Sequence, residues 1–161
     1  MAIDRKDALG LGAALAIPLV VGGLGGVATA RSIPSWYASL QKPSWNPPNW
    51  LFGPAWTFLY VLMGVASWLA WRQARKGKAV GLALTLYGIQ LALNLAWSFI
   101  FFGARRPFWG MVEIVPLWFL IAATMVQFYK VSKTAGTLLI PYQLWVSFAT
   151  ALNVAVWRLN G

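Results

Sequence analysis

Charged residues are confined to short intervals between long apolar segments of the chain. Four segments carry no charge at all, namely residues 8–30, 43–71, 79–104 and 134–157, and residues 107–129 carry only Glu113. About 20 apolar residues in a helix cross the ~30 Å hydrocarbon core of a bilayer. The pattern predicts an all-α integral membrane bundle of five transmembrane helices, over residues 8–30, 51–72, 79–102, 107–129 and 136–157.

Composition and charge support this class. Of the 161 residues, 60% are hydrophobic and 10% are charged, whereas about 25% are charged in soluble domains. The helices leave room for only one domain, residues 1–161. The net charge of +10 comes from Lys and Arg beside helix ends, where they meet lipid head groups, so nucleic acid is not an expected partner. Eight of these cations flank the N-terminus and the second and fourth loops, which predicts a cytoplasmic N-terminus.

The first apolar segment has an alternative interpretation as a cleaved signal peptide. Arg5-Lys6 precedes it, and Ala28-Thr29-Ala30 resembles a cleavage site. Its uncharged run is longer than the usual hydrophobic region of about 7–15 residues, and Asp4 and Asp7 dilute the basic start. A transmembrane helix is therefore favoured.

Three predicted helices carry polar and aromatic residues at steps of three and four, which places each set on one helix face. The sets are Trp56 and Tyr60; Tyr87, Gln90, Asn94, Trp97 and Phe101; and Tyr142, Trp145, Ala149 and Asn153. Because an unpaired amide in hydrocarbon costs several kcal/mol, these faces point inward. They either hydrogen-bond helices together, at about 0.6–2 kcal/mol each, or line a cavity for a flat, largely apolar ligand. Clustering of Trp56, Asn94, Glu113 and Asn153 roughly 6–12 Å below one membrane face favours a cavity.

The loop at residues 31–50 is proline- and tryptophan-rich, and its end runs into the second helix as LQKPSWNPPNWLFGPAW, residues 40–56. Prolines disfavour helix and stiffen the backbone, and tryptophans prefer the membrane interface. The loop is therefore expected to form a semi-rigid cap over the cavity, with an interfacial aromatic belt as the alternative. Pro54 suits the first turn of the second helix.

Glu113 and the glycines each allow two interpretations. An intramembrane carboxylate is a functional candidate, but pairing of Glu113 with Arg105 or Arg106 is the favoured expectation. Small residues recur in the first helix, at residues 22–26, and around the third, at residues 77, 81, 88, 92 and 96. Such residues allow close helix packing, either within the bundle or in a homodimer through the third helix.

Three segments resemble the translocator protein family, also called TspO, tryptophan-rich sensory proteins or peripheral-type benzodiazepine receptors. They are WYASLQKPSWNPPNWLFGPAW at residues 36–56, QLALNLAWSFIFFGAR at residues 90–105, and PYQLWVSFATALNVAVWRLN at residues 141–160. The resemblance implies five helices, a homodimer, and a pocket under the first loop for porphyrins, sterols and isoquinoline or benzodiazepine ligands. It also implies a multi-pass protein of the bacterial cell membrane.

The resemblance carries over to a set of ligand-binding positions: Tyr37, Trp56, Gln90, Asn94, Trp145, Phe148 and Ala149. Two departures are visible. The sterol-associated tyrosine near the end of the fifth helix is missing from residues 154–157, and Asn46 and Asn49 stand where some relatives carry histidine.

Two functions follow from these features. The first is a membrane translocator or sensor that binds porphyrin; the alternative is a light- and oxygen-dependent porphyrin-degrading enzyme that uses Trp56 and Trp145. The chain has no histidine and no cysteine, so no cofactor, metal site or other catalytic residue is expected. A channel or a ligand-free scaffold ranks last, because no charged pore lining is present.

Overall fold

Six α-helices make up most of residues 4–161, the part of the chain that the computed structural model describes. They are α1 (Arg5–Ser32), α2 (Asn49–Arg72), α3 (Gly81–Ser98), α4 (Pro107–Val131), α5 (Lys133–Thr137) and α6 (Ile140–Asn160). With their short extensions they give five segments long and apolar enough to cross a membrane. The predicted all-α, five-span architecture is confirmed, and the protein is an integral, multi-pass membrane protein.

The fifth predicted helix is divided into a five-residue turn of helix, α5, and the long α6. Two other helices are extended by wide π-helical turns, α1 by Ile33–Tyr37 and α3 by Phe99–Gly103. Pro34 explains the first of these, because proline has no N–H and interrupts the regular bonding ladder. Helical backbone therefore continues to residue 39, and the irregular part of the predicted loop, here called the cap, is residues 40–48.

The start of α2 also differs from expectation. The helix begins at Asn49 after Pro48, whose extended backbone (ψ 141°) precedes the first turn. Pro54 lies in the second turn, so the expectation that it lies in the first turn was wrong. The Pro47-Pro48 pair sets this boundary, since both residues favour extended backbone and Pro48 restricts the residue before it.

Charged side chains join α1 and α2 at the end of the bundle opposite the cap. Asp7 accepts from Arg72 at 3.2 Å and from Arg75 at 2.6 Å, and Arg75 also pairs with Asp4 at 2.8 Å. The Trp68 indole donates to the Asp7 carbonyl at 3.1 Å. Hydrogen bonds from the Arg75 guanidinium and the Asp7 backbone lower the pKa of Asp4 to about 2, so the Asp4 carboxylate stays ionised at neutral pH.

Two clusters of buried apolar side chains form the core. The larger runs along the contacts of α2, α3, α4 and α6, and its fully buried members include Met63, Ile121 and Phe128. The smaller lies at the cap end and consists of Tyr37, Phe101, Phe102, Leu152 and Val156. Between this second cluster and α1 the helices leave an open space.

Candidate ligand-binding cavity

A cavity of about 430 Å³ lies between α1, α2, the end of α3 and α6. One wall is the small-residue face of α1, and the facing walls are largely aromatic. The lining residues of these aromatic walls are Tyr37, Phe52, Trp56, Tyr60, Trp97, Phe101, Phe102 and Trp145. Its volume falls within the roughly 300–1,000 Å³ that is usual for small-molecule sites.

The wall formed by α2 and α6 is a set of touching rings. Trp56 stacks on Tyr60, one turn further along α2, with ring centroids 5.5 Å apart and planes at 28°. Trp145 meets Trp56 edge to face at 6.4 Å, and Phe52 meets Trp145 in the same way at 6.2 Å. Such ring pairs add about 0.5–1.5 kcal/mol each beyond area burial, so they hold a flat apolar surface in place.

A buried chain of hydrogen bonds supports this wall from behind. The Tyr60 hydroxyl donates to Asn94 Oδ1 at 2.6 Å, and Asn94 Nδ2 donates to the Tyr142 hydroxyl at 3.0 Å. The Tyr142 hydroxyl in turn donates to Gln90 Oε1 at 2.8 Å. This chain joins α2, α3 and α6, and it orients Tyr60 from the side away from the cavity.

The residues predicted as a ligand site fall into two groups. Tyr37, Trp56, Trp145 and Ala149 line the cavity together. The other three do not line it. Gln90 and Asn94 belong to the buried chain behind Tyr60. Phe148 packs between Trp45 and Trp145, at 5.8 and 5.7 Å.

Sequence reasoning did not assign the α1 wall to the cavity. Gly22, Gly23, Gly25 and Gly26 all line it, although their pattern in the sequence predicted only close helix packing. The signal available in the sequence was the number of glycines within residues 22–26. Close packing along one helix face needs a small residue only at every fourth position. Tyr60 and Asn153, which share the polar stripes, are also lining residues.

Most polar side chains on the cavity surface already have partners in the protein. The hydroxyls of Thr29 and Thr57 donate to carbonyls one turn earlier, and the Tyr37 hydroxyl donates to Asn46 at 2.7 Å. Asn153 accepts from the Trp97 indole at 3.2 Å and donates to the Pro107 carbonyl at 2.8 Å.

Two cavity-lining donors differ from this pattern. Within residues 4–161 the indoles of Trp68, Trp97 and Trp118 have hydrogen-bond acceptors, but those of Trp56 and Trp145 have none. Both of these rings line the cavity. The cavity lining is therefore largely apolar, and the indole N–H groups of Trp56 and Trp145 have no acceptor in the described part of the chain.

The cap is fastened at its start, residues 40–42, by two side chains. The Lys42 ammonium donates to the carbonyls of Tyr37 and Leu40, each at 2.8 Å. The Asn160 amide forms two reciprocal bonds with the Gln41 backbone, both at 2.9 Å. The end of α6 thus holds the segment that follows Tyr37.

Glu113 lies apart from this arrangement. Neither of its carboxyl oxygens, both buried, has a hydrogen-bond partner in the described part of the chain. The expected pairing with Arg105 or Arg106 is wrong for residues 4–161, where the ion pairs involve only Asp4 and Asp7. Both arginines are exposed, because long cationic side chains extend toward water at the membrane surface.

Comparisons with known proteins identify the family of this chain. The model of the TspO/MBR family matches residues 14–158. The chain is 44% identical over 156 residues to the tryptophan-rich protein TspO of Chlorobaculum tepidum, covering 97% of this chain and 99% of that protein. It is 50% identical over 127 residues to the human translocator protein, covering 78% and 75%. It is 43% identical over 125 residues to the tryptophan-rich sensory protein of Cereibacter sphaeroides, covering 78% and 77%. The chain belongs to the TspO/MBR family.

Proposed function

We propose that the protein is a membrane translocator or sensor that binds a porphyrin in the cavity between α1, α2, α3 and α6. The observation that carries the proposal is an aromatic cavity whose unsatisfied donors are the indoles of Trp56 and Trp145. A porphyrin supplies a large flat ring for the aromatic walls and carboxylates that accept hydrogen bonds. The names of the human and Cereibacter relatives, translocator and sensory protein, support translocation or sensing as its role.

The same cavity suits other flat or rigid apolar molecules. Isoquinoline, benzodiazepine and sterol ligands each combine a ring system with few polar atoms, as this lining requires. The absence of a tyrosine from residues 154–157 makes sterols the weakest members of this set. We therefore place porphyrin first.

The test is a titration of the purified protein with protoporphyrin IX in the dark, followed by tryptophan fluorescence and porphyrin absorbance. Trp56→Phe and Trp145→Phe keep a ring but remove a donor. Loss of one hydrogen bond costs about 0.5–1.5 kcal/mol, so each variant should bind roughly 3- to 10-fold more weakly. The matched control is Trp50→Phe, because Trp50 is 71% exposed and does not line the cavity. Absence of saturable binding by the parent protein would refute the proposal.

A second candidate, porphyrin degradation in light and oxygen, is favoured by the contact between Trp56 and Tyr60. Their stacked rings would let an electron hole formed on Trp56 by excited porphyrin be shared with a neighbour. The readout is loss of the porphyrin absorbance of the loaded protein under light. Equal bleaching by the parent, Trp56→Phe and Trp145→Phe proteins would show that the cavity only hosts the ligand.

We also propose that two copies associate through α3. Gly81, Thr85, Gly88 and Ala92 repeat at steps of three and four and are exposed on one face. A Cβ added at Gly81 or Gly88 would meet no other atom of the chain within 4 Å. A face of this kind allows two helix backbones to approach closely in a bilayer.

A further inference from the structure

The helices α1 and α2 diverge along their length. Far from the cap their backbones touch, because a Cβ added at Gly64 would lie 2.8 Å from the Ala14 carbonyl oxygen and 2.9 Å from Leu15 Cα. Gly10 lies against the Trp71 ring in the same half. The ion pairs of Asp7 lock that end.

Nearer the cap, α1 loses its contact with α2. Gly22 still lies against the Tyr60 ring, but a Cβ added at Gly23, Gly26 or Gly53 would meet nothing within 4 Å. These three glycines line the cavity and are also exposed. Leu19, Ala30 and Thr57 combine the same two properties. Exposed lining residues therefore lie on both α1 and α2, with no atom within 4 Å of an added Cβ at the three glycines, and they point to an opening of the cavity between these helices.

This opening lies at the depth of the hydrocarbon. Gly23 and Gly26 are roughly 9–14 Å along the helix axis from Ser32, the end of α1. Its rim has little polar character, since the Thr57 hydroxyl already donates to the Gly53 carbonyl at 2.9 Å. An apolar molecule dissolved in the bilayer therefore meets no desolvation barrier there.

In contrast, the route from water at the cap end is closed. Tyr37, Phe101 and Phe102 at the cap end are 2%, 3% and 7% exposed. Trp36 packs edge-on against Phe101 at 5.8 Å, and Phe52 against Tyr37 at 6.4 Å. A ligand arriving at the cap end would have to separate these rings, whereas a ligand arriving from the lipid passes mainly glycine and alanine, with Leu19 and Thr57 at the rim.

We propose that the gap between α1 and α2 is a lateral portal through which a flat, bilayer-dissolved ligand enters and leaves the cavity. The inference rests on the proposed function, because it presumes a ligand for that cavity. In this proposal the exposed glycines of α1 leave room for the edge of a flat ligand to pass between the helices. A side chain at these positions would obstruct that passage without removing any group that holds the bound ligand.

The test uses the absence of native cysteine. Gly26→Cys is folded, placed in lipid nanodiscs and then treated with a bulky maleimide, so the obstruction is added after folding. Stopped-flow tryptophan quenching by protoporphyrin IX measures association and dissociation rates. We expect both rates to fall about tenfold, as for a steric barrier of ordinary overpacking size. Gly12→Cys, treated identically, is the control, because Gly12 is equally exposed and open but lies outside the cavity lining.

Two results would overturn the portal. Unchanged rates after modification at residue 26 would mean that the ligand passes elsewhere. Slower association with unchanged dissociation would mean that the added group occupies the cavity rather than its access route. Absence of porphyrin binding by the untreated parent is a different result, because it removes the proposed function and this inference together.

Discussion

The amide of Asn94 connects three helices while facing away from the cavity. It accepts from Tyr60 on α2 and donates to Tyr142 on α6, and it is only 2% exposed. Both tyrosine hydroxyls are far from water, so each depends on its partners to offset the cost of burial. Asn94 therefore shapes the cavity by holding Tyr60.

Substitution Asn94→Ala should lower the free energy of unfolding in detergent by about 1–3 kcal/mol, because buried hydroxyls lose a partner. Chemical denaturation followed by circular dichroism measures the change. Asn49→Ala is the matched control, since Asn49 is exposed and should leave stability unchanged. Weaker porphyrin binding without any loss of stability would contradict this account and indicate a direct ligand contact.

Asn160 acts at the surface, where its amide holds the Gln41 backbone through two bonds. Asn160→Ala should release the cap, because each lost bond contributes about 0.5–1.5 kcal/mol. Hydrogen exchange of residues 40–48 should become several-fold faster while exchange in α2 and α4 stays the same. Unchanged exchange in the cap would show that Lys42 and the prolines hold it alone.

Sequence periodicity identified which side chains point inward, but not what they face. Trp56 and Trp145 share that inward orientation with Gln90 and Asn94, yet only the first two line the cavity. An inward-pointing amide can face either a cavity or a neighbouring helix. The spacing of the residues along the helix is the same in both cases. The neighbour across the interface decides between them, and a single helix pattern carries no information about it.

At the scale of helices, runs with no charge or with a single charge were sufficient to find all five spans, because the bilayer requires a minimum apolar length. Their ends were less predictable. The π-helical turn at Ile33–Tyr37 arises where Pro34 withholds one donor, and uncharged residues continue on both sides of the break in the fifth predicted helix. Hydropathy does not register either change in backbone hydrogen bonding.

The contact of α1 with α2 at Gly64 provides a test at the same scale. Gly64→Ala would press a methyl group against the backbone of α1, and backbone cannot move aside as a side chain can. We expect destabilisation of about 1–3 kcal/mol, measured by thermal unfolding in detergent. Gly12→Ala should be neutral or stabilising by up to about 1 kcal/mol, because Gly12 is open and alanine favours helix. Equal stability of the two variants would contradict close packing at Gly64.

At the scale of the whole molecule, the cavity exists because α1 packs closely against α2 far from the cap and diverges from it toward the cap. The ion pairs of Asp4 and Asp7 fix the closed end, and the aromatic cluster around Tyr37 fixes the cap end. Between these two ends, glycines of α1 line the cavity. A glycine has no side chain, so the pattern of hydrophobic and polar positions does not indicate what it faces. This explains why the aromatic walls were predictable and the opposite wall was not.

The proposed association uses the exposed face of α3 that carries Gly81, Thr85, Gly88 and Ala92. None of these residues lines the cavity. Gly88→Leu should separate the two copies, because a branched side chain at the centre of the small-residue face prevents close backbone approach. Single-molecule photobleaching in nanodiscs would then show one fluorophore per particle instead of two. Gly12→Leu places the same side chain on another exposed helix face and should leave two. If Gly88→Leu also leaves two, α3 is not the dimer interface; if the parent shows one, the protein is a monomer and each copy carries a complete cavity.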